Sequence, residues 1–151
     1  MHEKVSQIAI DRKDFVFKER TISFKEYENR KAFHTLRSFF RDEFKPKLVS
    51  FHFGHPTERS IRALQNLGIQ VFVTATSEAE YRLLRGLRVD GVVCQGYEAG
   101  GHRGNFLQVD ERFDEKLSTA CLVKRILHLF NSDQENIPFV IAAGGLCTQG
   151  T

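Results

Sequence analysis

No apolar run in this 151-residue sequence approaches the roughly 20 residues of a membrane-spanning helix. No apolar h-region follows Met1-His-Glu-Lys, so the opening does not read as a signal peptide. A cytosolic chain with no membrane partner is the expectation. Cysteine is scarce, and Cys94, Cys121 and Cys147 are odd in number and without metal-ligand spacing. That argues against a disulfide framework or a zinc site and for buried free thiols in a reducing compartment. The six histidines show no clustering in sequence that a metal would need. Neither a G-x-G-x-x-G nor a Walker sequence is present, so dinucleotide and nucleoside-triphosphate folds lose support. Charge of one sign is also in short supply. The net charge is +3, and 12 of the 22 Lys+Arg against 8 of the 19 Asp+Glu fall within the first 47 residues. This is too weak to suggest nucleic acid, and the remainder is close to neutral.

What is present reads as one ordinary globular domain, 41% hydrophobic and 27% charged. Residues 1–23 carry short apolar islands at Val5–Ile10 and Phe15–Phe17 and take no firm assignment. From Phe24 to Phe44 an aromatic stripe at helical spacing predicts a helix with a core-packing face, ended by Pro46. After that the grammar is regular. Strands are predicted at Lys47–Phe53, Ile69–Thr74, Val89–Cys94 and Pro138–Ala143, with helices at Thr57–Leu67, Glu78–Leu87 and Asp114–Phe130 between them. Thr57 and Ser77 are placed to cap two of the helices. The alternation predicts an α/β fold of parallel (β/α) units, either part of a barrel or an open doubly wound sheet. Residues 1–46 form an N-terminal helical or irregular segment, and residues 47–151 the (β/α) part.

The chemistry-bearing residues collect where the strands end. Val89–Cys94 runs into a loop with glycines at 96, 100, 101 and 104, a density suited to positive φ or to a ligand lying close against the backbone. His102 in that loop is a candidate for proton transfer near neutral pH, or a plain surface histidine. Glu98 is placed to orient it, and Arg103 either binds an anion or faces water. His52 lies between Phe51 and Phe53, which strand alternation sends to the opposite side. It either reaches the mouth of the fold or is a hydrogen-bonded core histidine. Gln95 ends its strand in a place to hydrogen-bond a flat heteroaromatic ring. Gly144 and Gly145 follow the last strand, where they either offer backbone N–H groups to an anion or make a tight turn.

Four motifs in order, Ser50-Phe-His-Phe-Gly54-x-Pro56, Thr74-Ala-Thr-Ser77-x-Ala79, Cys94-Gln-Gly-x-Glu-Ala-Gly-Gly-His-Arg-Gly104 and Ile141-Ala-Ala-Gly-Gly145, resemble nitronate monooxygenase, formerly 2-nitropropane dioxygenase. The similarity covers residues 47 to about 148. It implies a TIM-type (β/α)8 barrel that binds FMN and oxidises alkyl nitronates with O2 to a carbonyl compound and nitrite. By the same resemblance, His102 matches the base that removes the α-proton of a neutral nitroalkane, and His52 an active-site histidine. Gln95, Gly100 and Gly144 match flavin contacts, with Gly101 and Gly145 beside them. His55 stands where the family usually carries an apolar residue.

About four of the eight barrel strands are recognisable, with the first and last strands of the family pattern missing, so a fragment of such a protein is expected. Two rival readings remain open at this point. One is another FMN-dependent barrel oxidoreductase, such as an enoyl reductase. The other is an inactive half-barrel without cofactor that pairs through its open edges.

Overall fold

The structure, a computed structural model, describes residues 32–108, 110–132 and 137–146. Helix α1 (Ala32–Asp42) is the described part of the predicted Phe24–Phe44 helix; positions 24–31 and the islands before them lie outside the described residues. The helix stops before Pro46, with the N–H groups of Glu43 and Phe44 both donating to the carbonyl of Phe39. Its aromatic stripe divides. Phe33 is buried and Phe40 packs on the core, whereas Phe39 and Phe44 are exposed.

Strand β1 (Leu48–Phe51) leads to α2 (Glu58–Gln65), β2 (Gln70–Ala75), α3 (Glu78–Gly86) and β3 (Gly91–Gln95). After a long loop come α4 (Thr119–His128) and β4 (Phe139–Ala143). Thr57 and Ser77 cap α2 and α3 as expected, their hydroxyls accepting from the N–H of Ser60 and Glu80. Such a cap is worth ~1 kcal/mol. Helix α4 begins at Thr119, five residues later than its sequence pattern predicts. The cause is Asp114, whose carboxylate is taken by Arg103 and by the N–H of Lys116, while Lys116 itself turns to φ 48. That segment is held against the strand ends and cannot coil.

All four strands are parallel and stand in the order β1-β2-β3-β4. Sequential order is that of a (β/α) barrel; a doubly wound sheet reverses its order partway. The side chains confirm that the helices share one face. Val71, Val73 and Ala75 of β2, with Val92 and Cys94 of β3, form one core with Ile61 and Leu64 of α2, Tyr81 and Leu84 of α3, and Leu122 and Ile126 of α4. Each such large apolar side chain contributes about 1.5–3 kcal/mol by burial.

The opposite, concave face carries Phe72, Thr74, Val93, Phe139 and Ile141. Gly91 is required there, because a Cβ would stand 2.3 Å from the Phe72 ring. The ring lies across that gap and stacks with Phe139 at 6.4 Å between centroids. Cys94 is buried as expected, and burial pushes its thiol up to about 12. Cys121 is exposed, against expectation, because it lies on the outer side of α4; Cys147 and the stretch 148–151 lie outside the described residues.

Candidate active site

The site is built around one carbonyl oxygen, that of His102. Gln95, the last residue of β3, donates to it from Nε2 at 3.0 Å and accepts the N–H of Gly104 on Oε1 at 2.7 Å. One side-chain amide therefore closes the loop back onto its own strand. From the end of β1, two strands away, His52 Nε2 meets the same carbonyl at 3.3 Å, and its Nδ1 meets Thr74 Oγ1 at 3.0 Å. A carbonyl only accepts, so Nε2 carries a proton, while Nδ1 shares a hydrogen bond with the Thr74 hydroxyl. Gly104 has no room for a side chain, since a Cβ would stand 2.4 Å from Cε1 of His52. His52, itself exposed, is thus joined with Thr74, Gln95 and Gly104 at the carboxyl ends of β1, β2 and β3. Above it the His102 side chain is exposed.

The two glycine pairs are used differently. A Cβ at Gly100 or Gly101 would meet nothing within 4 Å, and Gly101 sits at φ 83. Gly144 and Gly145, at φ 95 and 64, bring the loop after β4 against the loop after β3. Cβ atoms there would stand 2.2 Å from Ala99 and 2.0 Å from Glu98. The Thr119 hydroxyl donates to the Gly144 carbonyl at 2.7 Å and secures the contact.

Two expectations for side chains are corrected. Arg103 neither faces water nor presents itself to an anion. Its guanidinium forms a two-point pair with Asp114 at 2.7 and 2.9 Å and donates to the carbonyls of Gln95 and Thr76. The guanidinium holds the Asp114 carboxyl below its ordinary range, and the pair ties β2, β3 and the long loop together. Glu98 does not orient His102. Its Oε1 accepts the N–H of Thr119 at the start of α4, and backbone N–H donors, its own first, hold its carboxyl below the usual value.

The sequence pattern gave no warning of Glu80, which is 1% exposed. It accepts from the N–H and hydroxyl of Thr76 and from the N–H groups of Phe106 and Leu107, at 2.6–3.0 Å. The spacing Ser77-x-x-Glu80 is that of a capping box. Here the carboxylate passes over its own helix start and pins the far end of the His102 loop. Among the described residues, no group of three or more His, Cys, Asp or Glu could hold a metal ion, and no helix is long and apolar enough to cross a membrane.

Comparison with known proteins places the chain in a family. The family described as Nitronate monooxygenase matches residues 9–151, extending the sequence resemblance toward the N-terminus. A putative nitronate monooxygenase of Saccharomyces cerevisiae is 47% identical, over 97% of this chain and 37% of its own length. A nitronate monooxygenase of Pseudomonas aeruginosa is 44% identical over 69% of this chain and 27% of its own length. The solved structure of a nitroalkane oxidase from Streptomyces ansochromogenes aligns at a TM-score of 0.62 and 30% identity, covering 76% of this chain and 31% of that one. The chain therefore spans roughly a third of the length of these relatives.

Proposed function

This chain belongs to the nitronate monooxygenase family, and from that premise we propose that it carries part of an FMN site for oxidising alkyl nitronates, and neutral nitroalkanes by way of them, with O2 to a carbonyl compound and nitrite. The observation that carries the reading is the exposed His102 imidazole, standing on a loop whose backbone is held from below by Gln95 and His52. A general base needs that combination of ring nitrogens left open and a fixed backbone.

With a neutral nitroalkane, His102 takes the proton from the carbon bearing the nitro group. The C–H electron pair becomes the C=N bond, negative charge moves to the nitro oxygens, and the imidazole becomes imidazolium. The resulting cation then sits beside the anion it has made and stabilises it. A preformed nitronate needs no such proton transfer. His52 contributes from beneath, keeping the His102 backbone at a fixed height with its Nε2–H.

The residues fit a flavin on one clear ground: Gly100 and Gly101 leave unobstructed backbone next to His102, where a flat ring system can approach closely. Gly100 and Gly101 would hold the FMN on this side, with Gln95 fixing the loop that carries them and Gly144 and Gly145 shaping the adjoining loop. When bound, FMN supplies the electron-transfer chemistry with O2, and the protein supplies position and electrostatics.

The test is an absorption spectrum of the purified chain mixed with FMN, followed by oxygen uptake with a nitronate. Flavin that stays with the protein and nitronate-dependent oxygen consumption are expected. A chain that retains no flavin and consumes no oxygen overturns the reading. In His102→Asn, turnover of neutral nitroalkane is expected to fall at least about 100-fold and turnover of preformed nitronate far less. Equal losses on both would remove His102 as the base.

A further inference from the structure

Strand alternation sends Phe53 to the same side as Phe51, into the helix-packed core. Phe51 is there, but Phe53 is not. Its backbone stands at φ 64, in the left-handed region, and Gly54 follows at φ 116. For a bulky residue this is a genuine outlier, and such strain persists only where its surroundings enforce it. Glycine would occupy the position without penalty, so the phenyl ring itself must be in use.

The ring is found between two imidazoles. Its centroid lies 4.1 Å from His52 at a 60° tilt and 6.0 Å from His102 at 85°, an edge-on contact. Both separations are near or within those of favourable aromatic pairs. Among the described residues, no hydrogen bond holds the His102 imidazole, and Phe53 is its one ring contact. The backbone of His102 is fixed by Gln95 and His52, but the turn of its ring is left to Phe53.

We propose that Phe53 is a positioning residue that sets the plane of the His102 imidazole, and that its left-handed backbone is the device that swings the ring out of the core to do so. The catalytic consequence rests on the reading of His102 as the base; the geometric part does not.

Histidine imidazole signals of the 15N-labelled full chain, without flavin, test the geometry, with the His102 and His52 signals assigned by their loss in H102N and H52N. Removing the ring in F53L is expected to displace the carbon-bound proton signals of His102, and keeping it in F53Y to leave them in place. F53N suits the left-handed backbone but has no aromatic ring. It is expected to displace the His102 signals as F53L does while holding the thermal midpoint within about 5 °C of the parent. In flavin-loaded chain, F53L should lower turnover of neutral nitroalkane about tenfold, with F53Y restoring it, while preformed nitronate falls less than about threefold.

Unmoved His102 signals in F53L overturn the proposal. So does a midpoint in F53N that drops as far as that of a core truncation such as Leu64→Ala, which would make Phe53 a packing residue. If the parent chain takes up no flavin, the functional reading fails by itself, and the histidine signals still decide whether Phe53 sets the ring.

Discussion

On the helix-covered side of β2, Val71, Val73 and Ala75 are sealed at 0% exposure, whereas on the concave side of β4, Phe139 and Ile141 stand 66% and 44% exposed. The two faces belong to one sheet and alternate residue by residue, yet they answer to different demands. The covered face needs volume and close packing, and it takes mostly aliphatic residues, with Phe51, Tyr81 and Cys94 among them. The concave face needs particular shapes: a glycine under a ring at 91, a threonine facing an imidazole at 74, and an amide at 95 that serves two partners. Close packing is concentrated on the first face and the polar contacts of His52, Thr74 and Gln95 on the second, with the Arg103–Asp114 pair at the rim joining them.

The comparison breaks most clearly at the core. Leu64→Ala is expected to lower unfolding free energy by about 2–5 kcal/mol, measured by urea titration. A loss under 1 kcal/mol would mean that the covered face is not where the stability lies. At the rim, Asp114→Asn should cost about 2 kcal/mol, since it weakens a two-point charged contact.

The rim also predicts a pH signature. The Asp114 carboxyl is held below its ordinary range in the folded chain, so falling pH protonates the unfolded state first. The contribution is complete above the ordinary carboxylate range, ~3.9, and disappears as pH falls through the depressed folded value. Stability of the parent should therefore decline more steeply below about pH 4 than that of Asp114→Asn. Parallel curves would remove the pair from the account. On the concave face, Phe139→Ser should change stability by no more than about 0.5 kcal/mol, because that ring is already largely in water. A loss comparable to Leu64→Ala would show the face to be packed in solution.

Legibility followed the same division. Periodicity and caps revealed the covered face almost completely, because burial and helix termini act through near neighbours in the chain. Strand boundaries moved by at most two residues, as at β1, which ends at Phe51 and not Phe53. The misses were cases where a distant partner took over a side chain. Asp114 looked like the start of a helix because nothing within a few residues shows that Arg103 claims it. Arg103 looked free for the same reason, its partners being Asp114 and the carbonyls of Gln95 and Thr76. Phe53 was misplaced because alternation assumes a strand that continues, and a positive φ at a phenylalanine leaves no mark in sequence. Glu80 was hidden by a capping-box spacing that the loop at 106–107 overrides.

The Phe72 ring that spans Gly91 and stacks on Phe139 also fixes a depth. It lies in the layer of Ser50, Gly91 and Phe139, while Thr74 and Val93 form the next layer and Gln95 the one above. Phe72 and Thr76 are four positions apart, so the distance from the strand ends down to this aromatic shelf is about 13 Å. Exchanging Phe72 for a smaller residue would unstack Phe139 and empty the space over Gly91 without touching either histidine.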